Sequence, residues 1–117
     1  MFNFEKLEVW QKSVAYADLV YAITRNFPVD ERFGLTTQIR RAASSVSSNI
    51  AEGAARPPAD FSKHLGYAAG SLYETVTQAI IARNQCFLNP ADYQKLYAAA
   101  EEISRMLSGL RGSLDKS

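Results

Sequence analysis

Few residues in this chain could carry covalent or metal chemistry. His64 is the single histidine and Cys86 the single cysteine. A zinc or di-metal centre needs several His, Cys or carboxylate ligands at fixed spacing, and a di-metal bundle needs inward Glu-x-x-His pairs. Neither pattern occurs. The serines lack the nucleophile elbow of a hydrolase, and there is no Gly-rich phosphate loop. Gly66-x-x-x-Gly70 falls inside a helical pattern and reads as close packing. A lone cysteine forms no intrachain disulfide and reads as an ordinary half-buried thiol. The expectation is therefore a protein with no catalytic, cofactor-binding or metal-binding residues, and not an enzyme.

Polar side chains are instead arranged along helices. At about 100° per residue, Leu35, Ile39, Ala42, Val46 and Ile50 form one apolar face. Gln38, Arg41, Ser45 and Glu52 run beside it, with Asn49 one turn after Ser45. A second seam, His64, Ser71, Glu74 and Gln78, runs beside Phe61, Leu65, Ala68, Leu72, Val76 and Ala79. An antiparallel pair turning at Pro57-Pro58 sets Arg41 opposite Glu74, Gln38 opposite Gln78, Ser45 opposite Ser71 and Glu52 opposite His64. The seams could line a ligand-binding channel. The reading adopted is a structural network fixing helix register, because buried charges are costly unless paired. It predicts an Arg41–Glu74 salt bridge. If that pair is buried, losing one partner costs about 3–5 kcal/mol.

Basic residues are spread out. Arg40 and Arg41 point about 100° apart and form no single patch. With 13 basic and 12 acidic side chains, the net charge is +1. That argues against a strongly basic nucleic-acid binder but leaves room for a local patch.

Four helices must position these residues. Met1–Leu7 is an arm carrying Phe2, Phe4 and Leu7. A helix is expected from Glu8 to about Asn26, with one stripe of Trp10, Val14, Ala17 and Tyr21 and another of Val9, Tyr16, Val20 and Ile23. Phe27-Pro28 ends it. Asp30 is the expected N-cap of the second helix, with Gly34 inside it. Gly53 is either a stop signal or an allowance for close packing. Arg56-Pro57-Pro58 is the clearest break. The third helix starts between Pro58 and Asp60 and fades at Asn84 to Leu88. Asn89-Pro90 opens the fourth, whose core stripe is Tyr93, Leu96, Ala100, Ile103, Leu107 and Leu110. Gly112 and the polar tail Asp115-Lys116-Ser117 end it.

The predicted fold is all-α: a single domain over residues 1–117, an up-down antiparallel four-helix bundle. A chain of 117 residues with 47% hydrophobic content supports one core. No apolar run approaches the roughly 18 residues of a membrane span. The N-terminus has acids where a signal peptide is apolar. A cytoplasmic protein is expected. Small and aromatic surface at Ser44, Ser47, Ala51, Gly66, Gly70 and Tyr73, with the Phe2-Phe4 arm, exceeds what one small bundle needs, so a homo-oligomer is expected.

Certain residues also carry a family likeness. They are Phe4-x-x-Leu7-x-Val9-Trp10-x-Lys12, Phe27-Pro28-x-x-Glu31-x-Phe33-Gly34-Leu35, Gln38-x-Arg40-Arg41-Ala42, Asn49-Ile50-Ala51-Glu52-Gly53-x-x-Arg56, Phe61 and Gly70-Ser71-x-x-Glu74. The chain resembles the bacterial four-helix bundles named after the intervening sequences of 23S rRNA genes. It is also similar to the accessory proteins of diversity-generating retroelements, which bind nucleic acid and a reverse transcriptase. Tyr73 departs from the small or aliphatic residue more usual before the glutamate. The resemblance implies a homopentameric ring. It also suggests an RNA- or DNA-binding scaffold. Among the scattered basic side chains the candidate phosphate contacts, repeated around the ring, are Lys12, Arg25, Arg40, Arg56 and Lys63. The alternative is a structural or protein-binding oligomer with no nucleic-acid role.

Overall fold

In the computed structural model, which describes residues 1–116, four helices run up and down: α1 (Glu8–Thr24), α2 (Leu35–Ala54), α3 (Pro58–Asn84) and α4 (Pro90–Asp115). Each packs on its sequence neighbours and α4 closes on α1, so α1 and α3 face each other across a diagonal. The bundle measures 46 × 23 × 20 Å. Among the described residues no helix is long and apolar enough to cross a membrane. Ser117, the last residue of the expected polar tail, lies outside the described residues.

The core is made by the expected stripes. Ile39, Val46 and Ile50 of α2, Leu65 of α3 and Val20 of α1 are fully buried, with Leu72, Leu96 and Ile103 nearly so. Each such side chain contributes about 1.5–3 kcal/mol relative to exposure. Of the two α1 stripes, Val9, Tyr16, Val20 and Ile23 take the core. Trp10 of the other stripe receives the arm: Phe4 meets it edge-on at 5.2 Å, and Phe2 stacks on Phe4 at 5.6 Å. The arm forms a short 3-10 turn, Asn3–Lys6, on its own subunit.

The breaks follow local chemistry. Asn89 Oδ1 accepts the Asp92 N–H at 2.8 Å, with Pro90 at the first helical position. The start of α2 departs from expectation. Asp30 caps nothing; it lies in a 3-10 turn, Val29–Glu31, set up by Pro28. Gly34 is the N-cap residue, and Glu31 Oε1 reaches back to the Leu35 N–H at 3.2 Å. The fourth helix also continues past Gly112 to Asp115. There Ser62 on α3 donates to Asp115 Oδ1 at 2.7 Å, holding the last turn down.

Cys86 is exposed, not half-buried. Its φ of 64° places it at the left-handed position that closes α3. The Phe87 N–H bonds the Ala82 carbonyl and the Cys86 N–H bonds the Arg83 carbonyl, the two bonds of a Schellman stop. Glycine usually occupies that position because a Cβ is strained there.

A polar cleft between the second and third helices

The two seams meet where the antiparallel register places them. Ser71 Oγ donates to Ser45 Oγ at 3.0 Å, and Asn49 Nδ2 donates to the Ser45 carbonyl at 2.8 Å and its hydroxyl at 3.0 Å. These three residues form a small interhelical network. On either side of it the seams behave differently.

Toward the α2–α3 turn, the helices nearly touch. A Cβ built on Gly53 would lie 2.6 Å from His64 Cβ and 3.0 Å from the Phe61 ring. Gly53 is therefore the allowance for close packing; α2 ends one residue later, at Ala54. The expected Glu52–His64 contact is not made. His64 Nδ1 donates to the Asp60 carbonyl at 2.9 Å, one turn back on its own helix, and its ring meets Tyr67 edge-on. Glu52 is exposed.

Toward the other end the helices enclose an open cleft of about 530 Å³. Gln38, Arg41 and Ser45 of α2 face Ser71, Glu74 and Gln78 of α3 across it. The expected Arg41–Glu74 salt bridge is absent. The one ion pair within 4.0 Å among the described residues is Lys12–Glu102. Arg41 and Glu74 are both exposed, so water solvates them and no burial penalty forces them together. Gln78 differs. It is 8% exposed, and its Oε1 is buried with no hydrogen-bond partner. An unpaired buried carbonyl of this kind costs about 1–3 kcal/mol.

Two lining residues stand outside the seams drawn from the sequence. Thr37 stands one turn before Arg41 and extends the seam; its Oγ1 donates to the Arg32 carbonyl. Phe33, 87% exposed at the mouth, has Arg32 at 5.8 Å from its ring centre. An aromatic just ahead of a helix N-cap was the available signal. Tyr16 and Thr75 were also missed as a polar pair. Thr75 Oγ1 donates to the Leu72 carbonyl at 2.6 Å, which leaves the Tyr16 hydroxyl to donate to Thr75 Oγ1 at 2.7 Å. Burial pushes the Tyr16 phenol above its ordinary value.

Residues 5–109 match the 23S rRNA-intervening sequence protein family. This chain belongs to that family. Its fold is similar to a crystal structure of a protein with unknown function from the S23 ribosomal protein family of Bacteroides thetaiotaomicron. The likeness has a TM-score of 0.79 at 23% identity and covers 88% of this chain and 97% of that one. No match was found among curated proteins.

The basic residues of this family member are mostly engaged. Lys12 pairs with Glu102 at 2.7 Å, and that hydrogen bond and charge raise its pKa. Arg40 lies 4.7 Å over the Tyr21 ring and donates through Nε to Thr24 Oγ1 at 2.8 Å. Arg56 Nε donates to the Glu52 carbonyl. Arg25 and Lys63 are exposed. Arg25 follows the last turn of α1 and Lys63 lies in the first turns of α3, so they stand at opposite ends of the bundle. No single patch gathers the five.

The small-residue backs are partly used within the subunit. Arg40 reaches α1, so the helical face it shares with Ser44 and Ser47 is turned that way. Gly66 lies under the Arg111 guanidinium of α4, whose atoms would be 3.1 Å from an added Cβ. Gly70, by contrast, has nothing within 4 Å.

Proposed function

We propose that this protein is a non-enzymatic, self-assembling scaffold, and that copies of it meet along the groove between α3 and α4. The supporting observation is apolar surface the monomer leaves uncovered. Two adjoining hollows of about 370 and 290 Å³ share Tyr73 and Ser104, with the half-buried Ala69 and Val76 in their walls. Tyr73 and Tyr97 are 58% and 39% exposed in those walls. Gly112 of α4, in the wall of the larger of these two hollows, meets no neighbour, which leaves room for another backbone to approach. Exposed tyrosine rings beside a hollow suit an interface, one face apolar and one end able to hydrogen-bond, and a second copy is the partner present wherever the protein is. A ring of five is the family expectation; closed cyclic symmetry suits a repeated face of this kind. Sedimentation at micromolar concentration and above tests the reading. Tyr73→Glu should dissociate the assembly while the helical circular dichroism persists. A wild-type protein that sediments as a monomer overturns it.

A second reading has the assembled ring binding nucleic acid. The family's connection with the 23S rRNA intervening sequence favours it, as do the basic groups at both ends of the bundle: Arg25 and Arg32 at one, Arg56 and Lys63 at the other. Each would be a phosphate contact without base readout. Titrating labelled structured RNA and duplex DNA at about 50 and 200 mM salt should show affinity falling steeply as counterions are released. No binding at the lower salt, with the oligomer intact, leaves the protein-only scaffold.

A further inference from the structure

We propose that the cleft between α2 and α3 binds a zwitterionic ligand of the free amino-acid type, its carboxylate on Arg41 and its ammonium between Glu74 and Gln78. Arg41 and Glu74 meet only solvent in the cleft, and the buried Gln78 Oε1 has no partner. Arg41 offers five N–H donors in a planar fork, the geometry that suits a carboxylate. Glu74 offers two acceptor oxygens, and Gln78 Oε1 is an acceptor with no donor. All three line one cavity, and Arg41 and Glu74 are not paired with each other. A side-chain network built only to set register would close these groups on one another, as Ser45, Ser71 and Asn49 do.

The chemistry of the lining narrows the ligand. One cation and one anion face the cleft, so its net charge is zero. A phosphate would meet Glu74 as a like charge, whereas a dipolar ligand matches both groups. An ammonium has three donors. It can serve the Glu74 carboxylate and, through a rotation of the Gln78 amide, the orphaned carbonyl as well. Charge-assisted bonds of this sort are the stronger ones. The volume of about 530 Å³ lies in the range of small-ligand sites. Phe33 at the mouth offers a surface for an apolar side chain. The cleft lies between α2 and α3 and the proposed assembly groove between α3 and α4, so the two surfaces are separate and the inference stands without the assembly reading.

The test is calorimetric titration of the full chain with each of the twenty free L-amino acids to about 10 mM, a ceiling that captures millimolar affinities. At least one should bind. Blocking its amine by acetylation or its carboxylate by amidation should weaken it by about tenfold or more, the loss expected for a charge-assisted bond. Arg41→Gln and Glu74→Gln should each do the same. Both residues are exposed, so the variants should retain the wild-type melting curve; the blocked ligands test the same contacts on the unaltered protein. The proposal is overturned by no binding in the whole set, by binding indifferent to the blocked ends or to both variants, or by guanosine binding where no amino acid does. Guanosine is the comparison because it too presents donor and acceptor edges while carrying no charge.

Discussion

The two ends of the α2–α3 pair are built on opposite principles. Near the turn, three residues, Ala55 to Pro57, join the helices, and Gly53 lets His64 and Phe61 come within what would be collision distance of a side chain. At the far end, four long polar residues, Gln38, Arg41, Glu74 and Gln78, keep an open cleft where apolar residues would have filled it. Between them the Ser45–Ser71 bond marks the changeover. The same two helices thus use a missing side chain to close one end and unpaired side chains to open the other. The first is packing in the service of the fold. The second leaves Arg41 and Glu74 to solvent and the Gln78 carbonyl without a partner.

Gly53→Ala should have the largest effect. In an open helix the exchange of glycine for alanine stabilises by roughly 1 kcal/mol. Here the new methyl group meets His64 Cβ, and overpacking costs about 1–3 kcal/mol. The variant should be less stable than wild type in urea at fixed protomer concentration. Gly70→Ala is the control, since nothing lies within 4 Å of its Cβ. If the two substitutions have the same sign, the closed end is not closed by Gly53.

A second contrast lies within a single turn of α3. Thr75 points into the core and is fully partnered, while Glu74 and Gln78 face the cleft and are not. Tyr16→Phe removes the partnered contact and should cost about 1 kcal/mol at neutral pH. It should also change the alkaline limb of the stability profile. The Tyr16 phenol is raised above its ordinary 10.0 by burial. Unfolded chains therefore lose that proton first, and this contribution is fully present below about pH 10 and lost as pH rises through the folded value. Denaturation of wild type and variant from pH 8 to about 11 should show the wild type losing more stability with rising pH.

Gln78→Met should act in the opposite direction. Replacing a buried, partnerless amide by an apolar side chain of similar length removes a desolvation cost, and a gain of about 1 kcal/mol is expected. A loss of that size would show that Oε1 has a partner in solution and that the cleft is as well satisfied as the core. The same variant should weaken any ligand held through that carbonyl, so stability and binding should move apart.

Much of the fold was legible because it rests on periodicity and punctuation. The apolar stripes of α2, α3 and α4 were read correctly, as were the breaks at Pro28, Pro57-Pro58 and Asn89-Pro90. The register was legible too, since a short turn between antiparallel helices ties Ser45 to Ser71 by geometry. What escaped depended on choices among competing partners. Asp30 looked like a cap, but the proline-driven 3-10 turn moved the helix start to Leu35 and gave the capping task to Glu31. His64 turned to its own helix and left Glu52 in solvent. Equal height on facing helices brings residues to one cleft; whether they bond depends on how far the helices have separated there and how much water remains.

That limit is sharpest for Arg41 and Glu74, where the smallest effect is expected. A double-mutant cycle with Arg41→Gln and Glu74→Gln separates the coupling of the pair from the cost of each change. A buried salt bridge would show its single-partner losses at about 3–5 kcal/mol. Two exposed groups more than 4.0 Å apart should instead couple by less than about 0.5 kcal/mol in the unliganded protein. A saturating amino-acid ligand held by both groups would couple them through its own two charges. The same cycle, read on ligand affinity, should then be non-additive. Coupling that is large without ligand would mean the open end closes in solution, and the difference between the two ends would reduce to one of side-chain length.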